Sequence, residues 1–390
     1  MISFIACDAH AMLLGSGDND ANLTDPGTGV PFHAIALICN DGGSSPAGSA
    51  VYLGGKYLIT ANHVDGGNTR THVTFDSNTY WERDAGFTPI RIGELDLKLI
   101  KLIDDPGING VTLNTNASLD SSADATLIGW GRAHNESTPD PSISGQKITW
   151  DWDTSNDTIA KRWGLNEVEG TESITNGGTY TALTTYLDNS GGNDEAALAT
   201  YDSGSGLFIE INGQWYLAGL ATLVTQQEGA DTSTFGGGFF NRGDQNLFVR
   251  ISSYVSAILA AVPDTSTFTG WITDHGIYNA DASIDADPDF DGLTNLLEFA
   301  FNSDPGAPSV EDSPELFNND SDHAIRFRKS TSATGIQFTP EWSSTLESAS
   351  WSSDEITLVN TGIQDGMEIW TATYSGPENP VFLRLTVTQE

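Results

Sequence analysis

Three short segments, Thr60-Ala61-Asn62-His63-Val64, Leu95-Asp96-Leu97 and Asp202-Ser203-Gly204-Ser205-Gly206, supply a base, a carboxylate and a hydroxyl in that order along the chain. A serine hydroxyl is a poor nucleophile at neutral pH. It becomes effective when an imidazole takes its proton and a buried carboxylate fixes the tautomer and orientation of that imidazole. His63, Asp96 and Ser203 are the candidates for those roles. Apolar, strand-like runs flank each segment: Val51 to Leu53 and Tyr57 to Ile59, Leu97 to Ile100, and Leu207 to Ile211. The reactive groups are therefore expected at strand ends in a predominantly β domain.

Read in order, these segments resemble the trypsin or chymotrypsin-like serine endopeptidases, including their bacterial secreted branch. Thr60 to Val64 is similar to the family's histidine motif, and Leu95 to Leu102 to its aspartate segment. Gly129-Trp130-Gly131-Arg132 matches its Gly-Trp-Gly strand, Tyr201 to Ile209 its nucleophile loop, and Leu247 to Val255 its last strand and the start of its closing helix. The likeness spans Pro31 to Leu259, about three fifths of the chain. It implies a double six-stranded β-barrel that hydrolyses peptide bonds in protein or peptide substrates through an acyl-enzyme. It also implies an oxyanion hole from the backbone N–H groups of Tyr201 and Ser203, although Tyr201 stands where the family commonly has glycine. The pocket for the side chain preceding the cleaved bond maps to Ala197, Thr222, Leu223 and Val224. With no acid at its base, that pocket is expected to take a small or medium apolar residue, because a buried Lys or Arg would lack a partner. Asp202 has a structural part in the family, pairing with an amino terminus released by cleavage, and no Ile-Val-Gly-Gly-like start is visible here.

A second motif lies outside that region. Asp287-Pro288-Asp289-Phe290-Asp291-Gly292 is followed, after five further residues, by Glu298. Calcium takes six to eight oxygen ligands around a tight turn, and this spacing offers Asp287, Asp289, Asp291, the Leu293 carbonyl, Asn295 and a bidentate Glu298. The plainer alternative is a solvated acidic helix start. The segment also resembles the Asp-rich calcium repeats that precede C-terminal β modules in secreted bacterial proteins, which implies a structural Ca2+ and no cofactor for the chemistry.

The remaining features bound these readings. The chain has 390 residues, enough for more than one domain. Its organisation reads as a protease-like domain with a leader over 1–262, an acidic connector over 263–308 and an accessory β-sandwich over 309–390. Ile251 to Val262 has helical spacing and ends before Pro263. With 53 acidic against 16 basic residues, the net charge of -37 repels nucleic acids and anionic membranes. No apolar run is long enough for a transmembrane span. Met1 to Cys7 lacks the basic start of a signal peptide, which fits a mature form of a secreted, extracellular or cell-surface protein. In that setting the C-terminal β module would meet an extracellular ligand. Cys7 and Cys39 would either close a loop contributing roughly 3 to 4 kcal/mol or remain two separate buried thiols. The competing function is a catalytically inactive, protease-fold binding or adhesive protein.

Overall fold

The structure, a computed structural model, describes residues 12–14, 20–133, 142–143, 146–147, 155–188, 192–225, 242–277, 279–309, 313–318, 323–364 and 366–389. Cys7 lies outside them, and Cys39 is fully buried. The chain divides into two compact units, Met1–Val262 and Pro263–Glu390.

The first unit contains two antiparallel seven-stranded sheets. One runs, in spatial order, Tyr80–Glu82, His72–Thr74, Ile35–Cys39, Gly48–Gly54, Tyr57–Thr60, Lys98–Lys101 and Ile90–Arg91. It curls on itself: Arg83 bridges to Leu102, and the Ile103 N–H donates to the Glu82 carbonyl at 3.0 Å. The other runs Ala160–Glu167, Asp124–Gly131, Gly206–Ile211, Gln214–Thr225, Arg242–Arg250, Thr179–Asp188 and Gly170–Thr175. Its ends approach in the same way, with the Glu169 N–H on the Thr184 carbonyl at 2.9 Å. The mainly β, two-barrel expectation holds, with seven strands per sheet in place of six. In the first sheet the two terminal strands, Tyr80–Glu82 and Ile90–Arg91, are only three and two residues long. Closing a sheet removes exposed edges and lets residues such as Ile35, Ile38, Val51, Leu58 and Leu99 be fully buried.

Strand register places the chemistry-bearing residues. Thr60 pairs with Lys98 in an antiparallel ladder, so His63, just beyond Thr60, and Asp96, just before Lys98, emerge at the same end. In the second sheet Gly206 pairs with Leu220, and the Gly204 N–H donates to the Ala221 carbonyl at 2.9 Å, which ties the loop of Ser203 to the strand that carries Thr222. The unit ends in a short helix, Val255–Ala261, within the expected helical span.

The second unit holds a four-stranded sheet, ordered Glu315–Asn318, His323–Ser330, Met367–Tyr374 and Ile356–Gln364, and a two-stranded ribbon, Ile336–Ser343 with Phe382–Gln389. Ile325, Phe327 and Ala372 of the sheet pack with Phe338, Leu383 and Leu385 of the ribbon. The acidic connector is built into this unit. Its helices Phe268–Asp274 and Asn295–Phe301 join Phe268, Trp271, Leu296 and Phe299 in a cluster that also takes in Ile336 and Val387 of the ribbon. Phe299 is almost fully buried, edge-on to Phe268 at 5.8 Å. Phe299→Ala is therefore expected to destabilise this unit by about 3–5 kcal/mol and to speed amide exchange in both ribbon strands. Hydrogen-exchange mass spectrometry checks this, and unchanged exchange there would show that the connector does not support the ribbon.

Candidate active site

At the shared strand ends, His63 Nε2 lies 2.6 Å from Ser203 Oγ, and His63 Nδ1 lies 2.7 Å from Asp96 Oδ2. The His63 backbone N–H donates to the other Asp96 oxygen at 3.1 Å. Both Asp96 oxygens thus engage His63, which fixes the ring's direction as well as its tautomer. A third donor comes from the second sheet: the Thr222 hydroxyl donates to Asp96 Oδ2 at 2.5 Å, and Tyr180 lies 3.0 Å from that same hydroxyl. Burial alone would raise the Asp96 carboxyl. The hydrogen bonds and charge of His63, with the Thr222 hydroxyl, outweigh it and hold the group below the usual carboxylate range.

The loop carrying Ser203 has an alternating pattern of satisfied amides. The Asp202 N–H donates to the Ala199 carbonyl at 3.3 Å and the Gly204 N–H to the Ala221 carbonyl at 2.9 Å. The N–H groups of Tyr201 and Ser203 have no acceptor among the described residues. Two unengaged amides separated by one residue can receive a carbonyl oxygen as it gains negative charge. Tyr201 has φ of 77°, in the left-handed region that glycine occupies without penalty. Ser49 clamps this conformation: its Oγ donates to the Tyr201 carbonyl at 3.0 Å, and its N–H to the Ser203 carbonyl at 2.8 Å. Gly204 is required beside it, since a Cβ there would sit 2.1 Å from the Ser49 carbonyl oxygen.

Asp202 points inward. One oxygen accepts the Ala199 N–H at 3.2 Å, and the other has no partner among the described residues. Burial pushes this carboxyl well above its ordinary value, and the Arg162 guanidinium opposes that shift. Arg162, on strand Ala160–Glu167, is the charged neighbour that the sequence alone does not identify.

The structure places the four expected pocket residues on or beside the strand opposite Ser203 and in the core around it. Thr222 is buried with its hydroxyl on Asp96, so it supports the His63–Asp96 pair. A register shift between Ala221 and Leu223 leaves Thr222 as the extra residue of a bulge, a device that re-aims a side chain. Ala197 is buried and paired with Leu13, Leu223 lies in the core, and Val224 packs against apolar residues. None of the four lines the cleft of about 510 Å³ beside Ser203. One wall of that cleft is the loop after His63, which the sequence reading missed. Its anchor, Asp65, accepts from the Thr69 and Arg70 amides at 2.9 and 3.1 Å and from the Arg83 guanidinium at 2.7 Å. Lys98 donates to the Asp65 carbonyl and to Asn68, each at 3.1 Å.

In the second unit, ligand-capable oxygens of Asp287, Asp289 and Asp291 lie within 4.8 Å of one another. Glu298 is fully buried, and neither of its carboxylate oxygens has a hydrogen-bond partner among the described residues. Asp289 Oδ2 is also unpartnered. Burial first, and then the charges of Asp289, Asp291 and Asp287, push Glu298 up to about 8. A buried, unsatisfied carboxylate that feels the charge of three others fits a hard cation, which would neutralise the cluster and fill the orphaned lone pairs. Gly292, at φ of 95°, supplies the turn expected of such a loop. The Leu293 N–H donates to Asp291 Oδ1 at 2.7 Å. Asn295 uses its amide NH2 on the Asp281 and Ser283 carbonyls at 2.7 and 2.8 Å, while its Oδ1 is buried without a hydrogen-bond partner among the described residues.

No protein-family model and no curated protein matches the sequence. Among solved structures, the chain is similar to neuropsin, a serine protease expressed in the limbic system of mouse brain. The two are 14% identical with a TM-score of 0.40, over 62% of this chain and 98% of that one. It is also similar to an HtrA-type protease, AlgW, with a decapeptide: 16% identity and a TM-score of 0.36, over 59% of this chain and 65% of that one.

The Thr222 contact has a measurable consequence. Removing one hydrogen bond to a buried carboxylate costs about 1.5–3 kcal/mol, so Thr222→Val should slow acylation of Ser203 by a fluorophosphonate roughly 10- to 100-fold. Thr222→Ser, which retains the hydroxyl, should react at close to the original rate. Equal rates in all three proteins would remove Thr222 from the site.

Proposed function

We propose that the chain is a serine endopeptidase that cleaves protein or peptide substrates through an acyl-enzyme. The observation carrying this reading is the 2.6 Å approach of His63 Nε2 to Ser203 Oγ while His63 Nδ1 is held by a buried carboxylate. In the mechanism, Ser203 Oγ attacks the peptide carbonyl as its proton passes to His63 Nε2. Asp96 stabilises the resulting imidazolium without taking its proton. The Tyr201 and Ser203 amides receive the oxyanion, and each such donor contributes about 3–4 kcal/mol in comparable sites. His63 then gives its proton to the leaving amine, and the same nitrogen activates the water that hydrolyses the ester. The competing reading, an inactive binding or adhesive protein, gains support from Tyr201. It is weakened by the clamp that Ser49 places on Tyr201 and by the two unengaged amides.

A fluorophosphonate probe is expected to label Ser203. Ser203→Ala should abolish both labelling and peptide cleavage, with His63→Ala nearly as damaging and the double variant no worse, because these groups act as a unit. Peptide mapping that finds another labelled serine, or proteolysis surviving in Ser203→Ala, would overturn the assignment.

The second unit is read as a calcium-stabilised module. Asp287, Asp289, Asp291, Asn295 and Glu298, with the Leu293 carbonyl, would hold the ion, Asn295 directly or through water, and the ion's role would be structural. This is supported by the orphaned oxygens of Glu298 and Asp289. Extracellular modules with such loops respond to calcium in the 10⁻⁴–10⁻³ M range, roughly, which suits a secreted or cell-surface protein whose β module meets a ligand outside the cell. No helix among the described residues is long and apolar enough to cross a membrane. Calcium should raise the unfolding midpoint of this unit by mass action. Asp289→Ala with Glu298→Ala should remove that rise, and calorimetry showing the same calcium uptake in the double variant would reject the site.

A further inference from the structure

The cleft beside Ser203 has an unusual charge for this chain. Only 16 of the 390 residues are Lys or Arg, yet Arg70 and Arg132 both line it, together with His63, Tyr201 and Ser203. Behind its wall, Arg83 and Lys98 bind Asp65 and its loop. Asp65 is saturated by the Thr69 and Arg70 amides and by Arg83, Asp96 by His63 and Thr222, and Asp202 points inward, away from the cleft lining. Among the described residues lining the cleft, Asp65 is the one carboxylate, and it is already engaged, whereas Arg70 and Arg132 both reach the cleft.

The two cleft arginines are also held in place. Arg132 donates from Nη2 to Asn156 at 2.7 Å, and its guanidinium carbon lies 5.1 Å from the centre of the Tyr201 ring. Its Nε is buried without a hydrogen-bond partner among the described residues. Arg70 is fixed from Nε to the Ser45 carbonyl at 2.8 Å and from Nη1 to Thr69 at 2.7 Å, and is only about 3.8 Å from Asp65 at its nearest. Planar guanidinium groups fixed in this way are pre-organised to receive a carboxylate. The side of the scissile bond follows from the chemistry. His63 delivers its proton to the leaving amine, and the cleft wall is the loop that continues directly from His63 through Arg70, so the cleft receives the leaving-group half of the substrate.

We infer that this cleft is a specificity subsite in which Arg132 and Arg70 select substrates with an Asp or Glu side chain within the first two residues after the cleaved bond. The inference rests on the endopeptidase reading. It also runs against the long-range field, because a chain of net charge -37 repels acidic peptides until salt screens it. The preference should therefore sharpen as ionic strength rises to physiological values, the reverse of what general electrostatic attraction would give.

The test uses two internally quenched peptide libraries that share apolar residues before the cleaved bond and differ after it, one carrying Asp or Glu and the other Ala or Leu. At 0.15 M salt, kcat/KM is expected to be about tenfold higher for the acidic library, the size of one charge-assisted hydrogen bond. Arg132→Gln and Arg70→Gln should each erase most of that ratio while changing turnover of the neutral library by less than about twofold. Arg132→Glu should turn the preference toward Lys. Equal rates on both libraries in the unaltered protein, or variants that slow both libraries alike, would overturn the subsite and leave the endopeptidase reading intact. Failure to cleave either library, with no acylation of Ser203, would overturn both.

Discussion

A carboxylate removed from water is the constraint around which the first unit is arranged. Taking a charged group into a protein interior costs several kcal/mol unless donors replace its lost water. Asp96 meets that cost with two bonds to His63 and one to Thr222. Two of these donors belong to the sheet that carries Asp96, and the third comes from the other sheet. The carboxylate is therefore satisfied only when the two sheets meet with their strand ends aligned. The same alignment brings Ser203 to His63, so the condition that stabilises the buried charge also assembles the reactive pair.

Ser49 is the neutral counterpart of that tie. It lies on a strand of the first sheet, yet its amide and hydroxyl hold the Ser203 and Tyr201 carbonyls, and it accepts the Trp130 N–H at 2.9 Å. The Thr60 hydroxyl in turn donates to the Ser49 carbonyl at 2.6 Å. The Trp130 indole reaches back to the Ile35 carbonyl at 3.0 Å. With the carbonyls of residues 201 and 203 held by Ser49, the peptide planes on either side of Asp202 and after Ser203 are fixed. The positive φ of Tyr201 is the strain that accompanies this arrangement, and such strain persists where surrounding bonds over-determine a conformation.

The reacting residues are legible in the sequence because each follows or precedes an apolar run, and strand ends are where a short polar segment can project from a sheet. The pocket is not legible in the same way. Counting from Ser203 gives a position in the chain but not a side-chain direction, and the bulge at Thr222 turns that residue toward Asp96. Ribbon strand Ile336–Ser343 is hidden for a different reason. Pro340 within it argues against a strand by composition, but the strand pairs regularly with one neighbour only, and an edge position tolerates a residue with no N–H. Nor does spacing reveal that the connector packs on that ribbon, because the cluster that holds Phe299 takes in Val387, far away in the chain.

The excess of acid is handled differently in the two units. Around His63 the chain supplies its own counter-charges: Arg83, Arg70 and Lys98 gather at the Asp65 loop, and the Asp65 carboxyl is held below its ordinary value despite burial. Around Glu298 the charges acting most strongly are all negative, and the carboxyl is driven upward. A folded loop cannot keep four carboxyl groups together in the ionised form without either protons or a cation. Burial and the neighbouring charges push Glu298 up to about 8, while Asp287, Asp289 and Asp291 meet mostly backbone amides within their own loop. Those amides satisfy lone pairs without cancelling charge. The two units thus treat buried carboxylates differently: Asp65 is met by cations of the chain itself, whereas Glu298 is surrounded by further carboxylates.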